Sequence, residues 1–116
     1  MLVAYIIVIA VLGLVLIASA AGKLRRDKRQ IATLDRVGVP STLAPLLANI
    51  EITGATGLVV GIAWIPLGIA ASIGIIAYFV GAILAHIRVK DLKGTAPAVS
   101  LLALGITSLV LAIARW

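Results

Sequence analysis

Glu51 is the residue best placed to do chemistry, because it is the only charged residue in an apolar run of about residues 43–64. An acidic side chain in hydrocarbon costs about 2.5–3.5 kcal/mol on insertion scales. Such a residue normally faces the interior of a helix bundle and finds a partner there. Two interpretations are open: a proton-linked or ligand-binding carboxylate, or a polar clamp that holds two helices together.

Three further polar residues are predicted at one end of the neighbouring helices. Lys23 follows the first apolar run, and His86 and Arg88 end the third. A lysine that reaches inward, or a histidine near neutrality, would form a polar relay with Glu51. The alternative is snorkelling, in which the charge lies among headgroups and the stem in lipid. The predicted intramembrane polar site therefore comprises Glu51, Lys23, His86 and Arg88, with no catalytic residue assigned.

Three glycines follow Glu51 in the same apolar run. At 100° per residue, Gly54, Gly57 and Gly61 fall within about 60° of one another on one helical face. Small residues let membrane helices approach closely, so we interpret these positions as helix-packing sites. A dimer face or a ligand groove is the alternative. Tyr78 and Phe79 are likewise interpreted as packing residues, with quinone contact as their alternative.

The composition indicates where these residues must act. The chain has 116 residues, of which 63% are apolar and 12% charged, whereas soluble chains are about 45–50% apolar and about 25% charged. A domain of this size buries too small a fraction of its surface to hide so much apolar area. We therefore predict one polytopic membrane domain over residues 1–116, which excludes a soluble enzyme and a disordered tail.

Several chemistries are absent from this composition. The chain has no cysteine, which excludes disulfides and thiolate ligation, and one histidine, which excludes a multi-histidine metal site within one chain. We predict no metal site and find no cofactor ligand set. The net charge of +6 comes from basic residues beside apolar runs, which is typical of loops at a membrane surface. No nucleic-acid partner is predicted.

Four apolar runs predict the architecture. Each is close to the ~20 residues that cross a hydrocarbon core of ~30 Å, and backbone amides in lipid must be paired within a helix. The predicted fold is an all-α, antiparallel four-helix membrane bundle. Its helices are expected at about residues 2–21, 43–64, 67–87 and 96–114.

The loops predict the orientation. Loops 22–42 and 88–95 hold nine of the ten Lys and Arg residues, and short loops rich in these residues stay cytoplasmic. Both termini are therefore expected outside. The aromatic residues that an outer interfacial belt would hold agree with this orientation: Tyr5, Trp64 and Trp116.

The first loop is predicted to contain a short amphipathic segment between helices 1 and 2. Ile31, Leu34 and Val37 recur every three residues among polar neighbours, as in a helix lying on the interface. A solvated basic loop is the alternative. The basic cluster at residues 23–29 is interpreted as a topology signal and a lipid-headgroup contact, or as a docking site for a soluble partner.

The chain resembles the DoxX-like family of small four-helix membrane proteins. Three stretches carry the resemblance: residues 18–24 (ASAAGKL), residues 38–40 (GVP) with 51–58 (EITGATGL), and residues 81–88 (GAILAHIR). The positions that match the family's polar pattern are Lys23, Glu51 and His86. The resemblance implies an association with quinone-linked redox chemistry in a bacterial plasma membrane. Distant animal relatives that resemble assembly factors imply a non-enzymatic role instead.

Three functions follow as hypotheses. The first is a small, non-catalytic accessory or assembly subunit of a larger bacterial membrane complex. The second is a quinone-linked membrane oxidoreductase subunit of the DoxX/DoxD type, in which Glu51 with His86 or Lys23 would handle the quinone's protons. The third is a small proton-coupled transporter, which the position of Glu51 in the second helix and the nine-to-one charge bias disfavour. The expected partners are the lipid bilayer and a larger membrane protein, and a homo-oligomer stays open.

Overall fold

The chain forms helices throughout the parts that the structure, a computed structural model, describes, which are residues 2–90 and 95–116. Within those ranges there is no β-strand, so the predicted all-α fold is confirmed. Five α-helices follow in order, with a short 3-10 turn at Ser41–Leu43 before the third: α1 (Leu2–Leu24), α2 (Lys28–Arg36), α3 (Ala44–Val60), α4 (Ile65–Arg88) and α5 (Thr95–Arg115).

Three of the helices are long and apolar enough to cross a membrane. They are α1, α4 and α5, with 23, 24 and 21 residues. Helix α3 has 17 residues, which gives about 26 Å at 1.5 Å per residue. The membrane location is thus supported by three candidate spans, while the fourth span and the complete four-helix bundle stay predictions.

The ends of the helices differ from the predicted ones for local reasons. Helix α1 continues past residue 21 to Leu24, and Lys23 in its last turn is buried. Helix α3 ends at Val60 rather than near residue 64, and a turn leads to Trp64 and α4. Both α3 and α4 carry a proline in their first turn, where its missing N–H is not needed. The predicted loop 88–95 falls partly outside the described residues.

The four long helices form a ring of neighbours. Helix α1 packs on α3 and α5, and α4 also packs on α3 and α5. In the interior, the hydroxyls of Ser72 and Ser108 share a buried hydrogen bond of 2.7 Å between α4 and α5. Large buried side chains on one face of α1 supply much of the core: Tyr5, Ile9, Leu12 and Leu16.

Helix α2 lies at one end of the four packed helices, which we call the α2 end. Asp27 caps the helix by accepting a hydrogen bond of 2.9 Å from the Arg29 amide. Gln30 then donates to the Ser19 carbonyl at 3.0 Å. The opposite end, where α1 begins and α5 finishes, is called the terminal end.

Candidate functional site

Glu51 and Lys23 form a buried ion pair at the α2 end. Glu51 lies two turns into α3 and is 2% exposed, and Lys23 lies in the last turn of α1 and is 8% exposed. The Lys23 Nζ is 2.6 Å from the Glu51 Oε1 and donates a second hydrogen bond, of 2.8 Å, to the Ser19 hydroxyl. Lys23 therefore reaches inward instead of snorkelling away from the bundle.

Tyr78 brings a third helix to the same carboxylate. Its hydroxyl, on α4, donates to the Glu51 Oε1 at 2.8 Å. One carboxylate oxygen thus accepts hydrogen bonds from α1 and from α4. We call Ser19, Lys23, Glu51 and Tyr78 the Glu51 cluster. It joins three helices through polar atoms, and a buried tyrosine hydroxyl usually finds such a partner.

The second oxygen of the carboxylate is different. The Glu51 Oε2 is buried, and no described residue donates a hydrogen bond to it. An ionised carboxylate has about four lone-pair sites. The Glu51 cluster therefore retains capacity for another hydrogen-bond donor.

Glu51 also contributes to the walls of two cavities. The first, which we call the α3–α4 groove, has a volume of about 410 Å³ and is lined mainly by apolar and small residues. The second, which we call the α2 vestibule, has a volume of about 560 Å³ and lies beneath α2, with walls from α1, α3, α4 and α5. Both volumes are in the range of about 300–1,000 Å³ that small-molecule sites occupy.

The structure separates the two other residues of the predicted site. His86 is 9% exposed and lines the α2 vestibule together with Lys23 and Glu51. Arg88 instead donates to the Val37 carbonyl at 3.0 Å. This bond ties α4 to the end of α2, where Gly38 has a left-handed φ of 77° and lies next to the Arg88 guanidinium.

A comparison with known protein families identifies the family of this chain. The model described as the DoxX-like family matches residues 7–108, a range that includes the whole Glu51 cluster and both cavities. The chain belongs to the DoxX-like family. The resemblance seen in the sequence is thereby confirmed. No curated protein and no solved structure matches the chain.

The three glycines of this DoxX-like chain all face α4. A Cβ on Gly54 would lie 3.1 Å from the Ile75 side chain, and one on Gly57 would lie 2.9 Å from the Ala71 Cβ. A Cβ on Gly61 would overlap the backbone of Gly68. The glycines therefore stand where α3 approaches α4, and the first two also line the α3–α4 groove.

A second polar cluster lies at the terminal end of the DoxX-like chain. The guanidinium of Arg115 stacks on the ring of Tyr5, with its Cζ 4.8 Å from the ring centroid. The same guanidinium donates to the Ile62 carbonyl at 3.0 Å. Tyr5 is fully buried, and its hydroxyl lies against Gly68. Arg115 thus joins the ends of α1, α3 and α5.

Sequence reasoning missed Tyr78 and Arg115 as site residues. Tyr78 was interpreted as packing, although a hydroxyl in the middle of an apolar run needs a partner once it is buried. Arg115 was counted only for topology. Among residues 2–90 and 95–116, no group of three His, Asp or Glu side chains is arranged to hold a metal.

Proposed function

We propose that this DoxX-like chain is a non-catalytic accessory or assembly subunit of a larger bacterial membrane complex. The proposal rests on how few residues of the three candidate membrane-spanning helices are buried inside the chain. Only 22–28% of the residues in each spanning window are buried. The remaining apolar surface, which includes Leu14 at 70% and Val110 at 59% exposed, is available to lipid and to other helices.

The Glu51 cluster supports this role as a clamp. A buried ion pair is tolerated when each charge has its partner and further hydrogen bonds. Lys23 and Tyr78 both satisfy the Glu51 Oε1 from within the chain. Side chains arranged in this way hold α1, α3 and α4 in a fixed relation and present a constant outer surface to a partner.

The proposed orientation follows from charge. Arg25, Arg26, Lys28 and Arg29 are all exposed at the α2 end, and short basic loops stay on the cytoplasmic side. We therefore place the α2 end at the cytoplasmic face of the plasma membrane and both termini outside.

Site-specific photocrosslinking in native membranes tests the proposal. A photoreactive amino acid would be placed at four outward positions, one on each long helix: Leu14, Val59, Ile73 and Val110. We expect protein adducts of one discrete mass, confined to one or two neighbouring helices. The matched control is Leu12, which is fully buried on the same helix as Leu14. Lipid adducts alone, from all four positions, would contradict an accessory role.

The α2 vestibule favours the second function, a quinone-linked subunit. Lys23, Glu51 and His86 line this cavity with the ring of Phe79. The Lys23 Nζ has three N–H groups, and two of them bond Ser19 and Glu51, so one remains for a carbonyl oxygen. These residues fit a quinone: Lys23 would hold a carbonyl, while Glu51 and His86 would hold protons. The bound quinone would supply two-electron redox chemistry.

Two measurements distinguish the second function from the first. Quinone would be extracted from purified protein, and quinone-dependent electron transfer would be assayed with and without Glu51→Gln. The quinone-linked function requires bound quinone and a loss of transfer in the variant. The accessory role predicts neither. Proton-coupled transport stays a prediction, since no observation in the described residues favours it.

A further inference from the structure

The α3–α4 groove has the form of a site entered from the bilayer. Its rim includes the exposed residues Ile50, Ala70 and Gly74. Most of its lining is apolar. Glu51 and Tyr78 form what we call its polar end, and Asn49 and Thr53 also line it. A molecule that enters from the hydrocarbon region would therefore meet the Glu51 cluster without crossing water.

Glycines leave the space in this groove. A Cβ on Gly74 would meet no atom within 4 Å, so this part of α4 borders empty space rather than a neighbouring helix. On α3, Gly54 and Gly57 also line the groove, at the positions where α3 is in close contact with Ile75 and Ala71 of α4. The glycines therefore form the floor of the groove, and the open side at Gly74 leaves room for a hydrocarbon body.

The polar end requires a hydrogen-bond donor. The Glu51 Oε1 already accepts from Lys23 and Tyr78, while the Oε2 is buried and accepts from no described residue. Leaving a buried acceptor unpaired is costly. Glu51 itself lines the groove, so a donor held in the groove lies beside this carboxylate. A ligand that only accepts hydrogen bonds would gain nothing from this oxygen.

The charge balance of the Glu51 cluster restricts the chemical class of the ligand further. Lys23 already balances the charge of Glu51. An ammonium or a carboxylate on the ligand would place an unbalanced charge against apolar walls, which is strongly unfavourable. A hydroxyl supplies the donor without a charge.

We propose that the α3–α4 groove binds an uncharged, lipid-soluble molecule that carries a hydroxyl group. The hydroxyl donates to the carboxylate of Glu51, and the hydrocarbon body lies along Gly54, Gly57 and Gly74. The groove shares Glu51 and Tyr78 with the α2 vestibule and has apolar walls of its own, and the proposal holds whether the chain acts alone or within a complex.

A matched pair of probes tests the donor requirement. The first is a photoreactive long-chain alcohol, hexadecanol with a diazirine in its chain, and the second is its methyl ether, which keeps the shape and lacks the O–H. The protein would be labelled in phosphatidylcholine nanodiscs, and adducts would be located by peptide mass spectrometry. Labelling of the groove is normalised to labelling at Leu14, which faces outward on α1. We expect the alcohol to label the groove about tenfold more strongly than the ether, because a hydrogen bond to a charged group is lost.

Two glycines on α4 provide the variant control. Gly74 lines the groove and Gly81 lines the α2 vestibule, both are exposed, and a Cβ on either would meet nothing within 4 Å. Gly74→Phe fills the groove and should abolish alcohol labelling there, whereas Gly81→Phe should leave it intact. Equal labelling by alcohol and ether would overturn the proposal. So would retention in Gly74→Phe, or loss in Gly81→Phe.

Discussion

The two ends of this DoxX-like chain join helices by different means. At the terminal end, α3 and α4 approach until a Cβ on Gly61 would overlap Gly68, and Arg115 closes the junction over the ring of Tyr5. At the α2 end, the same two helices meet through the side chains of Glu51 and Tyr78, and both residues line two cavities.

This difference shows what polar residues do in a small membrane domain. Where glycines allow backbone contact, dispersion between helices holds the junction. Where the helices leave space for cavities, the Lys23–Glu51 ion pair joins α1 to α3, and the Tyr78–Glu51 hydrogen bond joins α4 to α3. The α2 end should therefore depend on charge pairing, and the terminal end on close packing, in ways that single substitutions separate.

The largest effect is expected from Lys23→Met at the α2 end. The substitution leaves the Glu51 carboxylate buried without its cation, and breaking a buried pair from one side costs about 3–5 kcal/mol. The free energy of unfolding would be measured in detergent micelles by thermal or denaturant titration.

The control for Lys23→Met is the double variant Lys23→Met/Glu51→Leu. Replacing both members of a buried pair by apolar residues is often neutral or stabilising, so stability should return to that of the wild type or above. A single variant as stable as the wild type would show that charge pairing does not hold this end.

A smaller loss is expected from Gly61→Ala at the terminal end. The added methyl group forces α3 away from Gly68, and overpacking of this kind costs about 1–3 kcal/mol. Gly13→Ala is the matched control, because a Cβ on Gly13 would meet no atom within 4 Å. The control should keep or slightly raise the free energy of unfolding, since alanine favours the helix. Equal effects of the two variants would remove close packing as the basis of the terminal junction.

Arg115→Gln should lower the free energy of unfolding by about 1–2 kcal/mol. The variant loses the cation–π contact with Tyr5 and the hydrogen bond to the Ile62 carbonyl. Arg25→Gln, at an exposed position of the α2 end, should change stability by less than about 0.5 kcal/mol. A larger effect of Arg25→Gln would mean that total charge, rather than the Tyr5 contact, is responsible.

The smallest effect is expected at the buried contact between α4 and α5. Ser72→Ala removes the buried hydrogen bond to Ser108, and such bonds between membrane helices contribute about 0.6 kcal/mol. Ser100→Ala is the control, because its hydroxyl is exposed and bonds only the Ala96 carbonyl of its own helix. If Ser72→Ala lowered the free energy of unfolding by several kcal/mol, the contact between Ser72 and Ser108 would be as important to stability as the contacts at the two ends.

Hydropathy predicts most of the helices because apolar runs and paired backbones leave few alternatives in lipid. It does not predict the end of α3, because the apolar run continues to Trp64 while the helix ends at Val60. The length of an apolar run therefore does not determine where the helix within it ends. The turn that contains Gly61 to Trp64 is as apolar as the helix before it.

The contacts of the candidate site were harder to predict than its members. Lys23 and Glu51 stand out as charges beside and within apolar runs, but they are 28 residues apart, and helix ends predicted from sequence err by about ±2–4 residues. One turn decides whether Lys23 points into the bundle or to the surface. In an apolar helix no amphipathic pattern marks the inner face, so Tyr78 and Arg88 gave no sign of their directions.

The central claim, that this DoxX-like chain serves a larger complex, is tested most directly by the mass of the native particle. The tagged chain would be extracted from its own membranes with surrounding lipid and analysed by native mass spectrometry. We expect particles in which the 11.9 kDa chain is bound in fixed ratio to one larger membrane protein. Particles that contain only the chain, alone or in multiples of its own mass, would contradict it.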